Sequence, residues 1–139
     1  MKHMVIGSAF HESLESVVMI KKNRPDFLAG LFNFVGGHVE SNETSPEAMV
    51  REFKEETSAD VPLQAWIYIG TKTDNKTYIL DYYACYLHQE LWSQVKTNTD
   101  ESISKLKLVE LPHKDEMVYD AQEVINLSLS ILKKQAQEG

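Results

Sequence analysis

The sequence predicts one α/β domain in which helices cover a mixed β-sheet. Its length of 139 residues is that of a single ordinary domain. Apolar residues make up 42% of the chain and charged residues 25%, as in globular proteins. Segments with strand patterning are interspersed with segments that have helical spacing. Because neither a repeat nor a Gly/Ser/Pro-rich linker interrupts this order, we expect residues 1–139 to form a single domain.

Apolar and β-branched residues predict the first strands at 5–10 and 16–22, and turn-forming residues at 23–26 close the second of them. A short apolar run at 32–35 follows, and the glycine pair at 36–37 is expected to end it.

The second half of the predicted sheet is a hairpin followed by a single strand. Segments 63–72 and 77–87 are rich in aromatic and β-branched residues, and a polar turn joins them. Alternating apolar residues at 103–111 predict the last strand.

Two segments have the signals of helices. The first is predicted at 46–57, with Thr44 or Ser45 as its N-cap, Pro46 in its first turn, and a capping box formed by Thr44 and Glu47. The second is predicted at 120–135, where apolar residues recur at roughly helical spacing.

Charge and hydropathy narrow the choice of partners and location. The net charge of −7 repels a phosphate backbone, so we expect no nucleic-acid partner, and any polyphosphate ligand would need bound divalent cations. No stretch approaches the roughly 18 apolar residues of a membrane span, so we expect no membrane partner and a cytoplasmic location. The single cysteine, Cys85, lies in an apolar run and is predicted to be a buried thiol.

The first helix carries three carboxylates on one side. At about 100° per residue, Glu52 and Glu56 fall on the apolar side and Glu55 borders them. Like charges at this spacing repel each other, and Arg51 alone cannot neutralise all three. The pattern favours bound divalent cations, with partly hydrated Mg²⁺ as the usual choice beside phosphates and Mn²⁺ as a substitute. The alternative is a solvated acidic helix.

These residues resemble the signature of the Nudix hydrolases, which cleave nucleoside diphosphates linked to another group. The positions that match are Gly37, Glu43, Arg51, Glu52, Glu55 and Glu56. The chain departs from the pattern at Ser58, where the family usually has Gly, at Ala59, where it has a larger apolar residue, and at Asn42, which replaces a frequent Gly.

The resemblance implies a Nudix-type α/β/α sandwich with a central mixed sheet. It also implies that Glu52, Glu55, Glu56 and the Gly36 carbonyl bind one to three divalent cations. Arg51 would orient Glu43 and Glu55 through ion pairs. Such enzymes often place another carboxylate before a late strand as metal ligand or general base, and Glu101 is the candidate here. Either Glu55 or Glu101 would be the general base.

The segment 30–37 resembles the Nudix enzymes that sanitise oxidised purine nucleoside triphosphates. Asn33 corresponds to their base-facing Asn, and Phe34 or Phe32 could stack on the base, although Asn33 could equally bond the backbone at a strand end. Asp120 loosely matches their acidic base-reading segment or serves as a helix N-cap. His38 could touch a phosphate or lie in a surface loop.

The sequence therefore predicts a Mg²⁺-dependent hydrolase of a nucleotide pyrophosphate bond. The expected substrate is a nucleoside or deoxynucleoside triphosphate, including oxidised purine nucleotides, cleaved to monophosphate and pyrophosphate. The alternatives are hydrolysis of ADP-ribose, another nucleotide sugar or a dinucleoside polyphosphate, and a nucleotide-binding module without turnover. We expect a monomer or a homodimer.

Overall fold

The computed structural model describes residues 1–138, which form seven strands and three α-helices. In chain order the elements are β1 (Lys2–His11), β2 (Ser16–Lys21), β3 (Phe32–Asn33), β4 (Val35–His38), α1 (Ser45–Thr57), β5 (Ile67–Thr73), β6 (Tyr78–Leu87), α2 (Gln89–Trp92), β7 (Ile103–Lys107) and α3 (Ala121–Glu138). Short 3-10 helices lie at Asp26–Leu28, Leu63–Ala65, Leu108–Glu110 and Lys114–Glu116.

The strands form one mixed sheet around β1. The main path runs β3-β2-β1-β6-β5, while β4 also pairs with β1 and β7 with β2. β1 and β6 are parallel over ten residue pairs, from Lys2 opposite Tyr78 to His11 opposite Leu87. The other pairings are antiparallel. The predicted mixed sheet is confirmed.

Helices cover both faces of this sheet. Alternate residues of β2 face opposite sides, so Val18 packs with the apolar residues of α1 while Met19 packs with those of α3. Cys85 is fully buried on the α1 side, and burial raises the pKa of its thiol. None of the helices within residues 1–138 has the length and apolar character needed to cross a bilayer.

Several strand limits differ from those that the sequence predicts. Gly36 and Gly37 do not end a strand but lie inside β4, opposite Ile6 and Val5 of β1. The predicted strand 63–72 begins only at Ile67, after a 3-10 helix at Leu63–Ala65. The predicted strand 103–111 ends at Lys107, where another 3-10 helix follows. In each case the backbone pairing partner, and not local composition, sets the limit of the strand.

The start of α1 agrees with the sequence signals. Thr44 is the N-cap, its side chain accepts a hydrogen bond from the Glu47 N–H, and Glu47 accepts one from the Thr44 N–H, as in a capping box. Ser58 follows the last turn in the left-handed conformation, with φ of 71°. That conformation favours glycine, and here a serine adopts it.

A polar cluster joins the start of α1 to the sheet. Asp81 on β6 accepts hydrogen bonds from Ser45 Oγ and Thr71 Oγ1, each at 2.7 Å, and His3 Nε2 lies 2.7 Å from Asp81 Oδ2. The Asp81 side chain is only 13% exposed. Burial acts to raise the pKa of Asp81, but the His3, Thr71 and Ser45 contacts outweigh it and leave the pKa below its ordinary value.

Asp81→Asn should therefore lower the free energy of unfolding at pH 7 by about 1–3 kcal/mol, because an amide replaces an acceptor that three groups contact. A carboxyl whose pKa is lowered by folding stabilises the native state above its unfolded pKa, and this contribution is lost as the pH falls through the folded pKa. Urea unfolding at pH 7 and at about pH 2.5 should show the difference from wild type shrinking in acid. The exposed Asp60→Asn is the control. A difference that persists in acid would contradict the assignment.

Candidate active site

The candidate site lies where the second half of α1 meets β4 and the segment 96–102. Its acidic side chains are Glu52, Glu55 and Glu56 of α1. Glu52 approaches β4 at Gly37, and the segment 96–102 runs beside the end of α1. Three separate parts of the chain thus contribute to one surface.

Arg51 connects most of the acidic groups at the site. Its Nη2 donates to Glu43 Oε1 at 2.6 Å and to the His38 carbonyl at 2.8 Å, and its Nη1 donates to Glu52 Oε1 at 2.9 Å. Nη1 also lies 3.3 Å from Glu55 Oε2. The hydrogen bond with Glu43 is the main cause that raises the pKa of Arg51 and lowers the pKa of Glu43. Both groups of this ion pair therefore stay charged.

Glu52 is a largely buried carboxylate of α1 at the site. Its side chain is 13% exposed and packs against Gly37, where an added Cβ would come within 2.3 Å of Glu52 Cδ. Burial raises the pKa of Glu52, Arg51 lowers it, and repulsion from Glu55 and Glu56 adds to the rise. The net effect is a pKa above the ordinary value, with burial as its largest cause.

Glu55 and Glu56 differ in their surroundings. The Glu55 side chain is 56% exposed, and its two oxygens lie 3.4 and 3.3 Å from Arg51 Nη1. Glu56 is half-buried, and its Oε2 accepts a hydrogen bond from Thr99 Oγ1 at 2.9 Å. Glu55 is therefore open to solvent, whereas Glu56 is held by a residue of the segment 96–102.

The donor set fits a hard divalent cation. Carboxylate oxygens are the protein ligands of Mg²⁺, and Mg²⁺ binds through few of them while it keeps several waters. The raised pKa of Glu52 indicates that an added positive charge would be favourable there. Within residues 1–138, no three His, Cys, Asp or Glu side chains are already gathered as a metal cluster. Glu52 and Glu55 contact Arg51 instead, and Glu56 contacts Thr99.

Glu101, the predicted additional ligand or base, lies on the same segment as Thr99 but faces the loop after β2. Its side chain is 3% exposed, and it accepts hydrogen bonds from Lys22 Nζ at 3.0 Å and from the Asn23 N–H at 2.6 Å. Burial opposes ionisation, but the Asn23 N–H and Lys22 outweigh it and hold the pKa of Glu101 below its ordinary value. This carboxylate is therefore already neutralised by a cation of the protein.

The predicted substrate-binding residues near the glycine pair have different surroundings in the structure. Asn33 Oδ1 accepts a hydrogen bond from the Phe34 N–H at 2.7 Å, which matches the backbone-bonding alternative for this residue. The Phe34 ring is 2% exposed and packs in the core on the α3 side. His38 is exposed at the end of β4, and its carbonyl binds Arg51. The carbonyl of Gly36 lies on the same short strand.

Asp120 lies just before α3, but its side chain contacts the sheet. Its carboxylate accepts hydrogen bonds from Lys72 Nζ at 2.9 Å and from Tyr82 Oη at 2.8 Å. Burial and this hydrogen bond raise the pKa of Tyr82, and the bond to Asp120 raises the pKa of Lys72. The nearby loop is linked to β3, because the Val118 N–H donates to the Phe32 carbonyl at 2.9 Å.

Sequence reasoning did not identify Thr99, Lys72 or Tyr82 as partners of the predicted site residues. Their contacts span 43, 48 and 38 positions of the chain. The only signal was the polar run at 98–102, from which Glu101 was chosen because it is a carboxylate.

Several solved structures have a fold similar to that of this chain. The MutT NUDIX hydrolase from Burkholderia pseudomallei has a TM-score of 0.70 and 15% identity, covering 91% of this chain and 96% of that one. The NUDIX domain of Shewanella oneidensis NrtR, complexed with ADP ribose, has a TM-score of 0.71 and 14% identity, covering 92% and 86%.

The third similar structure is a bifunctional NMN adenylyltransferase/ADP ribose pyrophosphatase from Francisella tularensis, complexed with AMP and a Mn ion. It has a TM-score of 0.69 and 17% identity, covering 93% of this chain but only 41% of that one. At these identities the likeness shows the fold alone. No curated protein matches the sequence.

The sequence itself matches a family model. The NUDIX domain model covers residues 1–126, which include every residue of the site described above. This match and the α/β/α architecture agree with the resemblance of the glycine, arginine and glutamate positions to the Nudix signature. The chain therefore belongs to the Nudix hydrolase family.

Proposed function

We propose that this protein is a Mg²⁺-dependent hydrolase of a nucleotide pyrophosphate bond, with Mn²⁺ as a possible substitute metal. The observation that carries the proposal is the carboxylate surface of α1, where Arg51 contacts Glu52 and Glu55, and Thr99 binds Glu56 on the next turn after Glu52. A binding module without turnover has no need for all three carboxylates. The preferred substrate is a nucleoside or deoxynucleoside triphosphate, which would yield monophosphate and pyrophosphate.

The residues of the chain have distinct roles in this reaction. Glu52, Glu55 and Glu56, with the Gly36 carbonyl, would hold the cation, which when bound neutralises phosphate oxygens and makes water more acidic. Arg51, fixed by Glu43 and the His38 carbonyl, keeps Glu52 and Glu55 in place.

The hydrolytic step needs a base for one proton. The oxygen of water bonds to phosphorus, the anhydride P–O bond breaks, and the proton of the water passes to a carboxylate. Glu55 suits this role because its side chain is 56% exposed and only loosely paired. Glu101 is less suited, because Lys22 and backbone N–H groups already bind its oxygens.

The test is a product analysis at slightly alkaline pH with Mg²⁺. The panel contains the common nucleoside triphosphates, an oxidised deoxyguanosine triphosphate, ADP-ribose and a dinucleoside polyphosphate, each with and without a chelator. Monophosphate plus pyrophosphate from a triphosphate supports the proposal. Cleavage of ADP-ribose to AMP and ribose phosphate would favour the second candidate, which the ADP-ribose complex of a similar NUDIX domain suggests. Binding without turnover would favour the silent module.

Asn33, His38 and Asp120 remain our candidates for contacts with the nucleotide. The Phe34 ring, 2% exposed and packed in the core, offers no face on which a base could stack. Asn33 and the loop before α3 are near one another through the bond between Val118 and Phe32. An amide can read a purine edge because it has both donors and an acceptor. Its oxygen is bound to the Phe34 N–H, so the amide nitrogen is the group that would face a base.

Asn33→Ala should raise KM for purine nucleotides by about tenfold and change KM for pyrimidine nucleotides less, because the proposed contact is with the edge of a purine. Steady-state kinetics on both classes measure the difference, and the melting temperature controls for the lost bond to Phe34. Equal changes in KM for both classes, with a lower melting temperature, would assign Asn33 a purely structural role.

A further inference from the structure

The segment 96–102 is attached to the last turn of α1. The Lys96 N–H donates to the Thr57 carbonyl at 3.0 Å, and the Asn98 N–H donates to the Glu56 carbonyl at 3.2 Å. Asn98 Nδ2 donates to the Glu55 carbonyl at 2.9 Å. The last carbonyls of a helix have no partner within it, so these bonds satisfy groups that would otherwise need water. The segment is thus held against the end of the helix that carries the acidic residues.

Thr99 reaches from this segment to a carboxylate of the site. Its Oγ1 donates to Glu56 Oε2 at 2.9 Å, and the same Oγ1 accepts a hydrogen bond from the Glu101 N–H at 3.2 Å. A hydroxyl has one hydrogen and two lone pairs. A carboxylate oxygen can only accept, so the hydroxyl hydrogen is directed toward Glu56, while a lone pair of the same oxygen accepts the Glu101 N–H.

The other end of the segment is anchored to the loop after β2. Glu101 binds Lys22 Nζ and the Asn23 N–H, and Asp100 forms an ion pair with Arg24. The Lys21 N–H donates to the Ser102 carbonyl at 2.9 Å. With both ends tied down, the Thr99 hydroxyl is held in a fixed place relative to α1.

We infer that Thr99 is a positioning residue that orients the Glu56 carboxylate for cation binding. Arg51 contacts Glu52 and Glu55, whereas the hydrogen bond from Thr99 fixes Glu56. Residues that hydrogen-bond a metal ligand from behind orient it and affect metal affinity strongly. This inference rests on the proposed function in one respect, namely that Glu56 is a metal ligand.

The test measures direct binding of Mn²⁺ to the full chain by electron paramagnetic resonance of the free ion. Thr99→Val, which removes the hydroxyl but keeps the shape, should weaken Mn²⁺ binding about tenfold, and Thr99→Ser should stay within about twofold of wild type. Thr97→Val is the matched control, since Thr97 lies on the same segment but its Oγ1 accepts from the Ile103 N–H, at 2.9 Å, instead of contacting an acidic residue of α1. It should leave Mn²⁺ binding unchanged.

A double-mutant cycle separates positioning from a general loss of structure. If Thr99 acts through Glu56, Thr99→Val should have no further effect on Mn²⁺ binding in a Glu56→Gln background. Melting temperatures of the variants at position 99 should match that of Thr97→Val. An unchanged Mn²⁺ affinity in Thr99→Val, a failure of Thr99→Ser to retain affinity, or an equal loss in both backgrounds would overturn the inference.

The nucleotide panel keeps the two proposals distinguishable. Wild-type protein that binds Mn²⁺ with the expected dependence on Thr99, but cleaves no nucleotide, would contradict the proposed hydrolysis and leave the role of Thr99 intact. Nucleotide turnover by the wild-type protein, together with an unchanged Mn²⁺ affinity in Thr99→Val, would support the proposed hydrolysis and contradict the role of Thr99. Wild-type protein without any Mn²⁺ binding would overturn the role of Thr99 together with the metal-dependent mechanism.

Discussion

Glu56→Gln is expected to lower turnover of the preferred nucleotide about 10³-fold, which corresponds to about 4 kcal/mol of transition-state stabilisation. The amide has nearly the shape of the carboxylate but lacks the charge that a divalent cation requires. Its oxygen can still accept the hydrogen bond from Thr99, so the segment 96–102 should keep its place beside α1. The fold and the melting temperature should therefore change little.

The matched control is Glu47→Gln, which makes the same substitution on the same helix. Glu47 is exposed in the first turn, and its Oε1 accepts from the Thr44 N–H, a bond that glutamine can also make. Steady-state kinetics at saturating Mg²⁺ and a thermal melt on each variant are sufficient. If Glu56→Gln retained wild-type turnover, or if both variants lost it equally, Glu56 would have no place in the chemistry.

The helix that carries the site was predictable because its signals are local. Thr44, Pro46 and Glu47 lie within four positions and mark its start, and their capping bonds form as their spacing predicts. The inward side of the helix follows from the apolar residues Met49 and Phe53, which are fully buried. Local geometry alone thus placed the carboxylates on one surface.

Strand limits were less predictable because they depend on distant partners. Residues 63–66 have the composition of a strand, but Leu63–Ala65 form a 3-10 helix and the Trp66 ring packs edge-on against Phe53 at 5.3 Å between centroids. The glycine pair resembled a stop signal, yet β4 continues through it because β1 lies close alongside. Neither neighbour is visible in the local sequence.

Within the site, residue types were predictable but their partners were not. A carboxylate in a loop before a late strand suggested Glu101 as ligand or base, and its pairing with Lys22 joins positions 79 apart in the chain. Asp120 has the sequence position of an N-cap, yet its carboxylate binds Lys72 and Tyr82. The hydrogen bond from the charged Lys72 is stronger than one from a neutral backbone N–H, which favours this contact over an N-cap.

Alanine substitutions at the two glycines of β4 should have different effects on stability and on activity, because the added methyl group meets different neighbours at each position. At Gly36, a Cβ would lie 2.1 Å from the Val5 carbonyl oxygen and 2.9 Å from Ile6 Cα. Backbone atoms of a paired strand cannot move away without breaking the pairing of β1 and β4. Gly36→Ala should therefore lower the free energy of unfolding by about 3 kcal/mol or more.

At Gly37 the added Cβ would lie 2.3 Å from Glu52 Cδ, at the end of a flexible side chain. Glu52 can rotate away, so Gly37→Ala should change the free energy of unfolding by about 1 kcal/mol or less. Displacing this carboxylate by about 1 Å should nevertheless reduce turnover about 10²-fold, because it moves a ligand of the cation. Urea unfolding and kinetics on both variants test the pair. Equal losses of stability in the two variants would contradict the difference between their neighbours. Full activity in Gly37→Ala would show that turnover does not depend on the position of Glu52 beside Gly37.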